Sequence, residues 1–344
     1  MGHVLCIMEM RRPLYIWGAL GLLVVAFFGW LFMRGGSRDA AGMVGGSRRF
    51  VIETNALASF PSHPHTPLKD KIFSAGHGVY LLSPVVAAGD DLWVTGLRWE
   101  VQNAPPHIVH HAVFQRIDRM DPVCPRSWEE LFTGSIDTIH TSVVFPSPYG
   151  IFLPKGTPLE VNVMAHNPVS PHGPGGIYEN VSVRLVMDVE RATVSRRHRR
   201  LEYRRLRLDD SPCADPVTVE TFVIPARSAH ARFTAAQARN GPFHTAEYTF
   251  MSSGMLFGVG GHIHAWEGGE SVGVFLNGDI LASLVSRQTA DNLWSWETPH
   301  IKLFRRVAKG DVLSIDATYS NPQAAPLVDS AMGQIGFYFA PDTK

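Results

Sequence analysis

The chain has 344 residues, with 31 Lys+Arg against 31 Asp+Glu, 16 histidines and only three cysteines. That length allows two ordinary domains, and the balanced charge gives no reason to expect nucleic acid or a strongly anionic partner. Three cysteines exclude a Cys-only zinc or iron–sulfur centre, whereas the histidines stand out because several fall in clusters.

Residues 1–13 are an N-terminal flank. From Leu14 to Met33 the run "LYIWGALGLLVVAFFGWLFM" carries no charge over twenty residues. At about 1.5 Å per residue, a helix of that length matches a hydrocarbon core about 30 Å thick. Arg11 and Arg12 precede it, Arg34 and Arg38 follow it, and Trp17 and Trp30 stand near its ends as interfacial anchors. An uncleaved anchor and a cleaved signal with a long apolar region both fit. The absence of a clear Ala-x-Ala site after the run favours a transmembrane signal anchor over 14–33. A large body behind one span predicts export to the periplasm, the cell exterior or a lumen. Residues 34–49, rich in Gly and Ser, read as a flexible tether. In the exported body Cys124 and Cys213 have the option of one disulfide, which their spacing leaves open.

Over residues 50–190, short runs such as "DLWVTGLRWEV", "IVHHAVFQRI", "LEVNVMA" and "NVSVRLVMDV" alternate apolar and polar residues between Pro, Gly and Asn turns, and long amphipathic helical patterns are missing. The expectation is a β-sandwich. Residues 191–212 change to a basic text with eight arginines up to Asp210, read as a solvated connecting strand and linker or, alternatively, a patch on anionic lipid beside the anchor. From 213 to 344 the β patterning resumes, with Asn277-Gly278 as a hairpin signal, and predicts a second sandwich. The fold class expected is therefore all-β, two tandem antiparallel β-sandwich, jelly-roll-like domains after one N-terminal transmembrane helix.

Three stretches carry candidate chemistry. In "PPHIVHHAVF", His110 and His111 are adjacent, so a regular strand sends them to opposite faces and a shared metal needs a bulged strand. In "VNVMAHNP", Met164 and His166 are i and i+2 and share a face, either one able to complete a site with that pair. In "GHIHAW", His262 and His264 likewise share a face, and Met332 in "SAMGQIGFYF" is the sulfur close to the last strand. Two imidazoles and a thioether suit copper cycling between its two oxidation states, because soft sulfur supports the reduced ion. The plain alternative is that these histidines are structural, in an adhesion or carbohydrate-binding β-sandwich.

Taken in order from about Leu92 to Pro341, "VTGLRWEV", "VHHAVF", "LEVNVMAHNP", "GHIHAW", "AKGDVLSIDATYSN" and "MGQIGFYFAP" resemble the copper type II, ascorbate-dependent monooxygenases, the family of peptidylglycine alpha-hydroxylating and dopamine beta-monooxygenases. The resemblance implies two copper ions, one per sandwich, facing each other across a solvent-filled cleft. His262, His264 and Met332 would hold the catalytic copper where O₂ and the substrate C–H bond meet. His110, His111 and His166 (or Met164) would hold the copper that relays electrons from ascorbate or a similar one-electron donor. The chain departs from the family pattern at Met164, where the third ligand of the relay copper is expected, and at Gly260, where peptidylglycine enzymes carry a carboxylate-binding Arg. The activity this implies is hydroxylation of a small organic molecule other than a peptide, with a membrane but no nucleic acid among the partners. The alternative from another class is a non-catalytic copper-binding or copper-storage surface protein.

Overall fold

In a computed structural model, described residues run from 48 to 342 with interruptions, the largest at 59–71, 136–141, 167–177, 209–221, 236–244 and 289–293. The expected transmembrane span, the tether up to residue 47, Cys213 and Met332 lie outside the described residues, while Arg48 and Arg49, read as the end of the tether, are already paired in the strand Arg48–Glu53. Among those described, no helix is long and apolar enough to cross a membrane.

Antiparallel strands build nearly everything, as the alternating runs require. In Leu92–Gln102 the side chains of Leu92, Val94 and Leu97 are buried, and Trp93 and Thr95 between them are half-buried. This strand lies between Ser182–Arg191 and Tyr149–Leu153 in a first sheet that Arg48–Glu53 borders. A second sheet runs Ala56–Ala58, Gly78–Leu82, Pro158–His166, Val109–Met120, Trp128–Ser135. Phe114, Leu159, Val161, Leu185 and Met187 fill the space between the two.

Two further sheets come from the C-terminal half. One orders Glu202–Arg207, Gly333–Pro341, Gly254–Ile263 and His300–Ile301; the other centres on Val312–Asn321 and Gly269–Leu276, followed by Asp279–Gln288. Asn277 and Gly278 both have positive φ, 54° and 87°, as a tight two-residue hairpin between Gly269–Leu276 and Asp279–Gln288 demands. Asn277 bonds through both ends of its amide, donating to the Asp311 carboxylate and accepting from the Val312 N–H.

One expectation needs correction. The stretch read as a basic linker holds the strand Glu202–Arg207, a full member of a sheet with Arg204 and Arg207 buried. Its guanidiniums are not solvated: Arg205 and Arg207 both reach Glu130 on Trp128–Ser135, which is itself 3% exposed. The two cores also share a layer. Along Gly333–Pro341, Ile335, Phe337 and Phe339 enter the C-terminal core, while Tyr338 and Ala340 enter the core of the first half. Tyr203 and Phe257 do the same from the neighbouring strands. One sheet is thus buried on both faces and lends residues to both cores, and residues 47–344 form one compact unit.

Candidate metal centre

His110 and His111 lie near the start of Val109–Met120. In the pairing with Pro158–His166, His111 stands opposite Met164 but Val109 stands opposite Ala165, so His110 is one residue too many. Such a bulge turns successive side chains toward one side. The two imidazoles accordingly stack, with ring centroids 4.1 Å apart.

His262 and His264 arrive from the doubly buried sheet. His262 sits opposite Gln334, and His264 follows directly on the end of Gly254–Ile263. Upstream in this strand Gly258 is an extra residue, since Phe257 pairs with Tyr338 and Val259 with the next residue, Phe337. Its φ of +57° is left-handed backbone that any residue with a Cβ adopts only under strain.

Both pairs arrive at the same point. His110, His111, His262 and His264 each offer a ring nitrogen, and these four atoms lie within 4.8 Å of one another. The Nε2 atoms of His110 and His264 are 3.1 Å apart, and the His111 and His262 rings meet edge to face at 4.6 Å. His110, His262 and His264 are buried and His111 is half-buried. Burial pushes the pKa of His262 well below the usual imidazole range, with His264 and Arg205 adding to the effect, so this ring is neutral with a lone pair to offer.

Sequence reasoning assigned these pairs to separate sites in separate halves; here they form one cluster. Met164 is half-buried beside the pair on its sheet, whereas the side chain of His166 and the whole of Met332 lie outside the described residues. Cys124 is disulfide-bonded.

Against the cluster lies a cavity of about 510 Å³, with His111 and His262 in its wall. Phe132, Tyr203, Phe257 and Tyr338 supply much of the lining, and no carboxylate lines it among the described residues. The Tyr203 hydroxyl bonds to that of Thr133, and burial raises the pKa of both Tyr203 and Tyr338, so the two phenols stay protonated. The sequence reading missed these aromatic residues. The signal was present in "IGFYFAP", an apolar run without the alternation of a half-exposed strand, which is how a strand covered on both faces reads.

No protein-family model and no curated protein matches the chain. Among solved structures it is similar to the major capsid protein of bacteriophage PM2, at 10% identity and a TM-score of 0.32, covering 86% of this chain and 99% of that one. It is also similar to the infectious bursal disease virus VP2 subviral particle, at 8% identity and a TM-score of 0.23, over 92% and 77% of the two chains. The tandem CBM51 modules of a family 98 glycoside hydrolase from Streptococcus pneumoniae follow at 9% identity and a TM-score of 0.20, over 79% and 83%. Similarity at this level has no bearing on the site.

Proposed function

We propose that this protein is a copper-dependent oxidoreductase that hydroxylates a small, largely apolar molecule with O₂ and a one-electron donor such as ascorbate. The observation that carries the reading is the placement of His111 and His262, which belong at once to the four-imidazole cluster and to the wall of the cavity. A metal held by the cluster is thereby next to whatever the cavity holds.

The donors fit copper. Imidazole nitrogen serves both oxidation states, and a neutral His262 needs to release no proton in order to ligate. When bound, copper supplies the one-electron chemistry with dioxygen and the C–H bond cleavage that side chains do not provide. The chain's own residues bind and shield. Phe132, Phe257, Tyr203 and Tyr338 present apolar surface to a substrate and keep water from the cluster, and the two protonated phenols place no negative charge there.

Export fits the same reading, because the disulfide at Cys124 belongs in an oxidising compartment and the apolar run at 14–33 would anchor the body to a membrane. The two sheet pairs would be two jelly-roll-like sandwiches that meet at the shared layer.

The test is ascorbate-driven oxygen consumption by the copper-loaded full-length chain, with small apolar probes such as toluene and naphthalene. Stimulation by a probe, lost in His262→Ala, is expected. Copper retained without stimulation by any probe would make the protein a copper-binding or storage protein instead.

A further inference from the structure

We propose that the four imidazoles hold one metal ion between them, and that this ion clasps the two halves of the molecule together. The inference rests on the metal-centre reading above, but not on catalysis. It replaces the two separate coppers expected from sequence with a single ion.

Distance carries the argument. Nitrogen donors about 2.0–2.1 Å from one tetrahedral ion stand about 3.3 Å apart from each other. The His110 and His264 nitrogens are already 3.1 Å apart, and no pair in the cluster exceeds 4.8 Å. The wider pairs must close by up to about 1.5 Å, a distance that imidazole ring rotations and small backbone shifts cover.

Two ions do not suit this space. Each would have to lie within the same few ångströms, in a buried setting where like charges repel strongly. A pair of metals that close needs a bridging or compensating anion, and the cluster contains no carboxylate or thiolate among the described residues. The pairs also interleave. Ring centroids across the halves, 4.6 Å for His111 and His262 and 5.0 Å for His110 and His264, fall between the 4.1 Å and 5.3 Å found within the two pairs, so no division into two sites is drawn by distance.

The clasp follows from where the ligands originate. His110 and His264 are 154 residues apart in the chain, on Val109–Met120 and immediately after Gly254–Ile263. Because the site does not exist until the halves are packed, the free energy of binding stabilises that packing. The class of ion is a late first-row transition metal, and copper, zinc or nickel all satisfy an all-imidazole donor set.

The experiment titrates the chelator-stripped full-length chain with copper(II), and separately with zinc(II). It reads bound metal by elemental analysis, thermal midpoint by circular dichroism and, for copper, the paramagnetic resonance spectrum. One ion per chain is expected, with a midpoint that rises on binding and a single copper signal split by about four nitrogens. His110→Ala and His264→Ala, one from each half, should each weaken binding about a hundredfold and abolish the thermal shift. Two ions per chain, a spectrum broadened by a second copper, or one ion retained in His110→Ala but lost in His264→Ala would overturn the proposal. The stoichiometry and spectrum of the parent decide the matter even if a variant fails to fold. One ion without oxygen uptake would sustain the clasp while removing the enzyme, so the two readings fail separately.

Discussion

At the residue scale, single backbone positions set the aim of the histidines. His110 shares a face with His111 only because one residue is inserted in the ladder opposite Met164 and Ala165. On the other side, Gly268 supports the approach of His264. Its φ is +86°, its carbonyl accepts from the Ser320 N–H, and the next residue, Gly269, donates to the His264 carbonyl. A Cβ at Gly268 would stand 1.9 Å from the Ser320 carbonyl oxygen, a backbone atom that no rotamer change can move aside. Gly268→Ala therefore combines a collision with a disfavoured φ, and should lower stability by about 2–3 kcal/mol in urea denaturation while weakening metal binding. Unchanged stability would mean that the backbone here relaxes freely. The sequence made this residue scale only partly legible. The i and i+2 spacing placed His262 and His264 together, whereas the bulge at His110 depends on the register against another strand, which no local pattern encodes.

At the element scale, Glu202–Arg207 decides how the halves meet. It looked like linker because six of the eleven residues from Ser195 to Arg205 are arginine, yet its alternate residues Tyr203 and Arg205 face the first half. Glu130 answers Arg205 at 2.8 Å and bonds Arg207 as well, while Glu129 lies within ion-pair distance of Arg116, Arg119 and Arg204. Burying such charges is tolerable only in pairs. Glu130→Gln leaves two guanidiniums without their counter-charge and should cost about 3 kcal/mol, measured as a shift of the urea midpoint. A change below about 0.5 kcal/mol would show that water reaches the pairs and screens them. Composition alone could not reveal this, because a run of arginines reads the same whether its partners are solvent or two glutamates from a strand some seventy residues earlier.

At the scale of the whole molecule, acid should loosen the two sheets of the first half, where Glu53 and Asp118 stand. The Arg184 guanidinium, with help from the Ser182 hydroxyl, holds Glu53 below the usual carboxylate range, and Arg116 does the same for Asp118. A carboxyl with a depressed folded pKa adds stability above its unfolded pKa and loses it as pH falls through the folded value. The thermal midpoint should thus drop between about pH 5 and pH 3, and Glu53→Gln should flatten part of that slope. A slope identical in the variant would remove Glu53 from the account.

What the sequence determined by itself is the set of parts: all-β construction from the period-two runs, the Asn277-Gly278 hairpin, and two histidine pairs on strands that could offer nitrogen to a metal. Those features are local, written in periods of two to four residues, and survive in any packing. The tertiary structure alone decided that the pairs converge. That outcome depends on a sheet buried on both faces, with Tyr338 and Ala340 in one core and Phe337 and Phe339 in the other. Sharing that layer draws the halves together around the histidine cluster, and it is the packing of apolar surface over long sequence separation, not any motif, that brings His110 within 3.1 Å of His264.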